Sequence, residues 1–166
     1  MRLWTVQSKE WFDKLKLEGE IRCIRSKISD QSYIPMYEWM ADQMKKRLGN
    51  NCNVELPIWA WAIFGGKNNR PDLRGMEFKY YEYPSVFLEI EIPDNELLLS
   101  DEEEWCSVMS DMFNGKSDND WERIFKLEDA DGTKSRYVQA CFEKLSYNQV
   151  INAKIFGRKT KNMLNE

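Results

Sequence analysis

The sequence predicts a single α+β domain, built as a mixed, mostly antiparallel sheet with about three helices. Three observations carry this expectation. The chain has 166 residues, which suits one domain of ordinary size. Hydrophobic residues make up 42% and charged residues 31%, enough for a buried core under a solvated surface. No internal repeat, low-complexity segment or linker divides the chain, so residues 1–157 read as the domain and 158–166 as a basic, frayed tail.

The elements follow in order. Residues 2–7 read as a strand, rich in β-branched and aromatic side chains. Ser8 then caps a helix, and Glu10 in its first turn complements the helix dipole. Trp11, Phe12 and Leu15 form the apolar stripe, and Gly19 ends the helix. Residues 20–24 make a short second strand, and 25–32 a polar loop. Residues 33–48 form a strong helix with Pro35 in its first turn. Met36, Trp39, Met40 and Met44 share one face of it, with Tyr37 and Gln43 beside that face. Residues 56–64 are an apolar, aromatic strand ending in a Gly65-Gly66 hairpin turn. Residues 70–74 are irregular and 78–83 extended. In 86–92, Val86, Leu88, Ile90 and Ile92 alternate with Phe87, Glu89 and Glu91, as in a strand. Residues 97–99 make one more short strand. Ser100 with Glu103 reads as a capping box, opening a helix that runs to Phe113. Residues 120–125 are helical and 130–132 a turn. Residues 137–145 suit either a helix or a strand, and the alternation of Val138, Ala140 and Phe142 with Gln139, Cys141 and Glu143 favours a strand. Residues 149–157 form the last strand.

Composition excludes several chemistries. There is no histidine, so Ser-His-Asp and Cys-His catalysis, His-based zinc sites and His phosphotransfer are ruled out. Acid–base work would fall to Glu, Asp, Lys, Tyr or Cys. Cys23, Cys52, Cys106 and Cys141 are widely spaced with no CxxC pair, so free thiols are expected rather than a disulfide framework or a metal centre. No apolar run is long enough to span a membrane, and the N-terminus lacks the pattern of a secretion signal. The expected location is therefore the reducing cytoplasm. A net charge of −4 provides no global field for nucleic acid, although it leaves room for a local basic patch.

Aromatic residues reach 13%, with seven Trp, which argues for a packed core plus an aromatic surface for a ligand or partner. Trp59-Ala60-Trp61 places two indoles on one strand face, suited to core packing or to stacking a base or nicotinamide. Arg70 and Arg74 flank Asp72, so they could clamp a phosphate or form an internal ion pair. Glu89 and Glu91 share a strand face, which suits acid–base work, a divalent metal (together with Asp101) or plain solvation. The acidic run 101–104 opens a helix, where the dipole already favours it. Gly65-Gly66-Lys67 lacks the spacing of a phosphate-binding loop.

Several segments resemble a bacterial and phage family, domain of unknown function 3841. They are the opening Met1-Arg2-Leu3-Trp4-Thr5-Val6-Gln7, then Tyr37-Glu38-Trp39-Met40, Pro57-Ile58-Trp59-Ala60-Trp61 and Arg70-Pro71-Asp72-Leu73-Arg74. Leu98-Leu99-Ser100-Asp101 with Trp105, and Val138-Gln139-Ala140, complete the set. The order of elements also resembles the ADP-ribosyltransferase superfamily, especially its DarT-like branch. That second resemblance implies NAD as substrate and ADP-ribose transfer to a nucleic acid or protein. It implies Glu143 as the catalytic carboxylate, Gln7 and Tyr37 or Trp39 around the nicotinamide, and Arg74 on a phosphate. The alternative expectation is a non-catalytic binding module whose aromatic cleft holds a nucleotide, nucleic acid or protein partner.

Overall fold

Among the described residues of the computed structural model (1–49, 52–117 and 120–158) the chain forms eight strands and three α-helices. Strand β1 (Arg2–Ser8) leads into helix α1 (Lys9–Glu18). The Ser8 hydroxyl accepts the Trp11 N–H, and Gly19 closes the helix at φ 79°, a left-handed conformation that glycine adopts without strain. Strand β2 (Glu20–Arg22) and helix α2 (Ile34–Leu48) follow, with two 3-10 turns between them, at Arg25–Lys27 and Gln31–Tyr33. Next come β3 (Ile58–Ile63), β4 (Ser85–Glu91), β5 (Leu97–Asp101) and helix α3 (Glu102–Phe113). The chain closes with β6 (Val138–Phe142), β7 (Lys144–Ser146) and β8 (Val150–Phe156).

Six strands make the main sheet in the order β5-β6-β3-β1-β4-β8, and β2 pairs with β7 in a small second sheet. Every pairing between these strands is antiparallel. Alternation sorts side chains onto two faces. One face carries Leu3, Ala60, Leu88, Ile90 and Phe142, packed on Phe12 and Leu15 of α1 and on the small sheet through Ile21 and Leu145. The other face is covered by Met36, Met40 and Met44 of α2 and by Trp105 and Val108 of α3, against Cys141 and Trp59. Burying such side chains stabilises by about 1.5–3 kcal/mol each. No helix among the described residues is long and apolar enough to cross a membrane.

Several local expectations change. The cap of α3 is Asp101, whose carboxylate accepts the Glu104 N–H at 2.9 Å. Ser100 pairs with Gln139 inside the sheet and is fully buried, so sheet pairing claims the serine and moves the cap on by one residue. Residues 78–83 are not a strand; a 3-10 turn at Met76–Phe78 tucks Phe78 into the core. The helical expectation near 120 is met by a 3-10 turn, Trp121–Phe125. Residues 137–145 are strand, broken at Glu143 where the chain passes from the main sheet to the small one. Of the basic tail, Arg158 is described, while Lys159 and Lys161 lie outside the described residues. On the outer edge of the sheet β8 carries a register shift beside Glu89, a common way to blunt an exposed edge.

Candidate functional site

The main sheet is weakly joined at its middle. Strand β1 pairs with β4 along its whole length, from Arg2 opposite Glu91 to Ser8 opposite Ser85. On its other side it pairs with β3 at one position, Trp4 opposite Trp61. Beyond that point a side chain spans the gap: Thr5 Oγ1 donates to the Trp59 carbonyl at 2.8 Å and accepts from Gln7 Nε2 at 3.0 Å. A cleft of about 400 Å³ lies there, bounded by residues 4–7 of β1 and 57–61 around β3. That volume falls within the usual range for small-ligand sites.

Several elements wall the cleft. Trp11 comes from α1, Tyr37 from α2, Gln139 from β6, Cys23 and Lys27 from the segment after β2, and Tyr81 from the loop before β4. The two indoles of β3 are braced by other rings. Trp59 stacks on Trp105 with centroids 5.4 Å apart and meets Tyr37 at 5.6 Å. Trp61 meets Phe64 edge-on at 5.1 Å. Such packing holds both rings rigid.

Three lining side chains hold a buried polar atom that finds no hydrogen-bond partner among the described residues: Trp4 Nε1, Trp59 Nε1 and Gln139 Oε1. The register brings their side chains to one face: Trp4 lies opposite Trp61 and Trp61 opposite Gln139, and Trp59 stands two residues from Trp61 along β3. An unpaired buried polar group costs about 1–3 kcal/mol, so concentrating three at one cleft is a feature of sites rather than of cores.

The lining offers little reactive chemistry. Among the described residues, no carboxylate lines the cleft. Burial raises the Cys23 thiol and the Tyr37 phenol above their ordinary values, so neither is a ready anion near neutral pH. Among the described residues Lys27 is the one cation of the wall, and it is ion-paired with Glu10 at 3.0 Å. Stacking and hydrogen bonding are what this arrangement does best.

The residues named from sequence separate into different places. Gln7 and Tyr37 both line the cleft. Trp39 does not; it stacks on Trp105 at 5.9 Å and on Phe125 at 6.3 Å in the helical core. Two residues apart on a helix point to nearly opposite sides, so Tyr37 and Trp39 cannot serve one pocket together. Arg74 lies at another hollow and hydrogen-bonds Asp72 at 2.7 Å. Glu143 lies at a third, smaller hollow beside Cys52 and Lys144. One of its oxygens pairs with Arg22, and the other accepts the Asn53 N–H at 3.0 Å. Burial pushes its carboxyl up, but Arg22 and the Asn53 N–H outweigh that, and the net direction is down. Glu89 and Glu91 sit on β4 and Asp101 on β5, with β6, β3 and β1 between them. No group of three metal-ligating side chains occurs among the described residues.

Sequence reading missed Trp4, Thr5 and Lys27 as cleft residues, and valued the Gln139–Glu143 face for its glutamate rather than its glutamine. The available signal was a glutamine facing inward on an otherwise apolar strand.

A family model described as Domain of unknown function (DUF3841) matches residues 2–155. No curated protein and no solved structure matches.

Proposed function

The chain belongs to the family of domain of unknown function 3841, and on that premise we propose that it is a binding module whose aromatic cleft holds the base of a nucleotide. The observation that carries the reading is the cleft between β1 and β3, lined by braced aromatic rings and by three side chains, Trp4, Trp59 and Gln139, whose buried polar atoms have no partner among the described residues. A planar heterocycle meets both demands. Its faces stack on aromatic rings, worth about 1–3 kcal/mol per base. Its edge carries acceptors for the two indole N–H groups and a donor for Gln139 Oε1. The lining that the described residues form is aromatic and amide-bearing, with no carboxylate among them, which supports binding. The four cysteines are free thiols, in keeping with a role in a reducing cytoplasm.

A thermal-shift titration with nucleosides, nucleotides, NAD and ADP-ribose tests the reading. A ligand at about 100 times its dissociation constant adds ~2.7 kcal/mol of stability. Trp59→Phe keeps an aromatic face but loses the N–H and part of the stacking area, so it should fold and bind more weakly. The absence of any shift at millimolar concentrations would sink the proposal.

A second reading, transfer of ADP-ribose from NAD, draws support from the presence of Gln7 and Tyr37 in one cleft. In that reading Glu143 is the catalytic carboxylate, but it lies at the separate hollow beside Cys52 and Lys144, paired with Arg22, so it must leave Arg22 and the reacting end of NAD must reach that hollow. NAD turnover that is lost in Glu143→Gln, with the thermal shift retained, would favour it. A shift with NAD but no turnover would leave the binding reading in place.

A further inference from the structure

A second hollow, of about 370 Å³, is lined by Arg70, Arg74 and Lys154 around Asp72. Three cations face one carboxylate there, in a chain whose net charge is −4. Arg74 uses Nε and Nη2 on Asp72, which fixes its guanidinium plane and leaves its Nη1 edge for another acceptor. Arg70 lies over the Phe87 ring at 5.5 Å, so its charge is positioned by a face contact and its planar N–H groups stay available. Neither Arg70 nor Lys154 forms an ion pair with a carboxylate among the described residues. An anion with two charges and several acceptor oxygens suits this set, and a phosphoryl group has both properties.

The hollow and the cleft lie on one face of the sheet, on either side of the buried packing of Phe87 with Phe78 and Phe156. Val6, which lines the cleft, lies opposite Phe87 on β4, and Phe87 lies opposite Lys154 on β8. Directly opposed residues point to the same sheet face. Two strand spacings separate Val6 from Lys154, roughly 10 Å. The segment over this face borders both places, with Arg70 and Arg74 at the hollow and Tyr81 at the cleft.

We propose that the hollow formed by Arg70, Arg74 and Lys154 binds the phosphate end of the ligand whose base occupies the cleft, so that the ligand is a nucleoside di- or triphosphate or a longer phosphorylated nucleotide. This inference rests on the nucleotide reading of the cleft. A free nucleoside fills the cleft alone. Each added phosphate extends toward the cations, within reach of an extended polyphosphate arm. Because the hollow is open to solvent, its contribution is screened by salt.

The test titrates the full chain with adenosine, uridine and their mono-, di- and triphosphates by calorimetry, at low and at high salt. For the base that binds, the expected result is a triphosphate held at least tenfold more tightly than its nucleoside at low salt, with a smaller gap at high salt. Arg70→Gln combined with Lys154→Gln should remove that gap and leave nucleoside affinity unchanged. Lys154→Gln alone, on an exposed edge strand, should remove part of the gap without disturbing the fold. Equal affinity for nucleoside and triphosphate, or a gap that survives the double variant, overturns this inference and leaves the cleft reading standing. If neither nucleosides nor nucleotides bind, both fall together.

Discussion

Replacing Gln139 by methionine should make the protein more stable and less able to bind. Gln139 Oε1 is buried and has no hydrogen-bond partner among the described residues. An unpaired buried amide oxygen costs about 1–3 kcal/mol, and an apolar group of similar shape avoids that cost. Methionine is unbranched and adaptable, so it fills the space without strain. The expected net change is about +1 kcal/mol, a rise in Tm of roughly 2–4 °C for a chain of this length. Differential scanning calorimetry without ligand measures the first half of the prediction, and the nucleotide thermal shift measures the second. Ser100→Ala is the internal comparison. Its hydroxyl is also buried without a partner, and Ser100 does not line the cleft, so that variant should gain stability and keep the ligand response. A fall in ligand-free Tm for Gln139→Met, or an undiminished shift with nucleotide, would refute the reasoning that this oxygen is reserved for a ligand.

Three further outcomes are expected. Glu143→Gln should cost about 1 kcal/mol at neutral pH, below the ~1.5–3 kcal/mol usual for hydrogen bonds to a charged group because the Arg22 partner is half exposed and screened. Its folded pKa lies below the ordinary value, so its contribution is present above that ordinary value and is lost as pH falls through the folded one; urea titrations down to about pH 3 should show the two proteins converging, and a pH-independent difference would contradict the Arg22 pairing. Asp101→Ala should cost about 1 kcal/mol through loss of the α3 cap, read as a lower urea midpoint, whereas a cost at Ser100→Ala and none at Asp101→Ala would restore the cap to the serine. Among the thiols, burial of the sulfur and the Glu102 carboxylate push Cys106 up to about 11, so its labelling by a thiol reagent should accelerate roughly tenfold per pH unit above neutrality; Cys141, wholly buried, should label only after denaturant is added.

The elements that could be read from the chain are those governed by neighbours in sequence. The Ser8 cap, the Gly19 stop, Pro35 at the start of α2 and the alternation from Val86 to Ile92 all depend on contacts within a turn or on two faces of one strand. Where a local rule and a distant partner competed, the distant partner won. Ser100 had every local mark of a helix cap and was taken by pairing with Gln139. Residues 78–83 had strand composition, yet Phe78 turned inward to pack beside Phe87 at 6.1 Å. Of the residues proposed around a ligand, Gln7 and Tyr37 share a cleft, Trp39 packs in the helical core, and Arg74 lies at the separate hollow beside Asp72.

By itself the sequence determined the class of fold, the two faces of each strand, the two ends of α1 and the exclusion of histidine chemistry, because these rest on residue type and spacing alone. Tertiary structure decided the strand order β5-β6-β3-β1-β4-β8, and with it everything about the site. The cleft exists because β1 meets β3 at one position, and Trp4, Trp59 and Gln139 share its face because Trp4, Trp61 and Gln139 fall in register across three strands with Trp59 two residues from Trp61. Glu143 is paired because Arg22, 121 residues away, comes to it when β2 joins β7. Such pairings are chosen by burying apolar area over the whole sheet, a sum over distant residues that no local pattern contains.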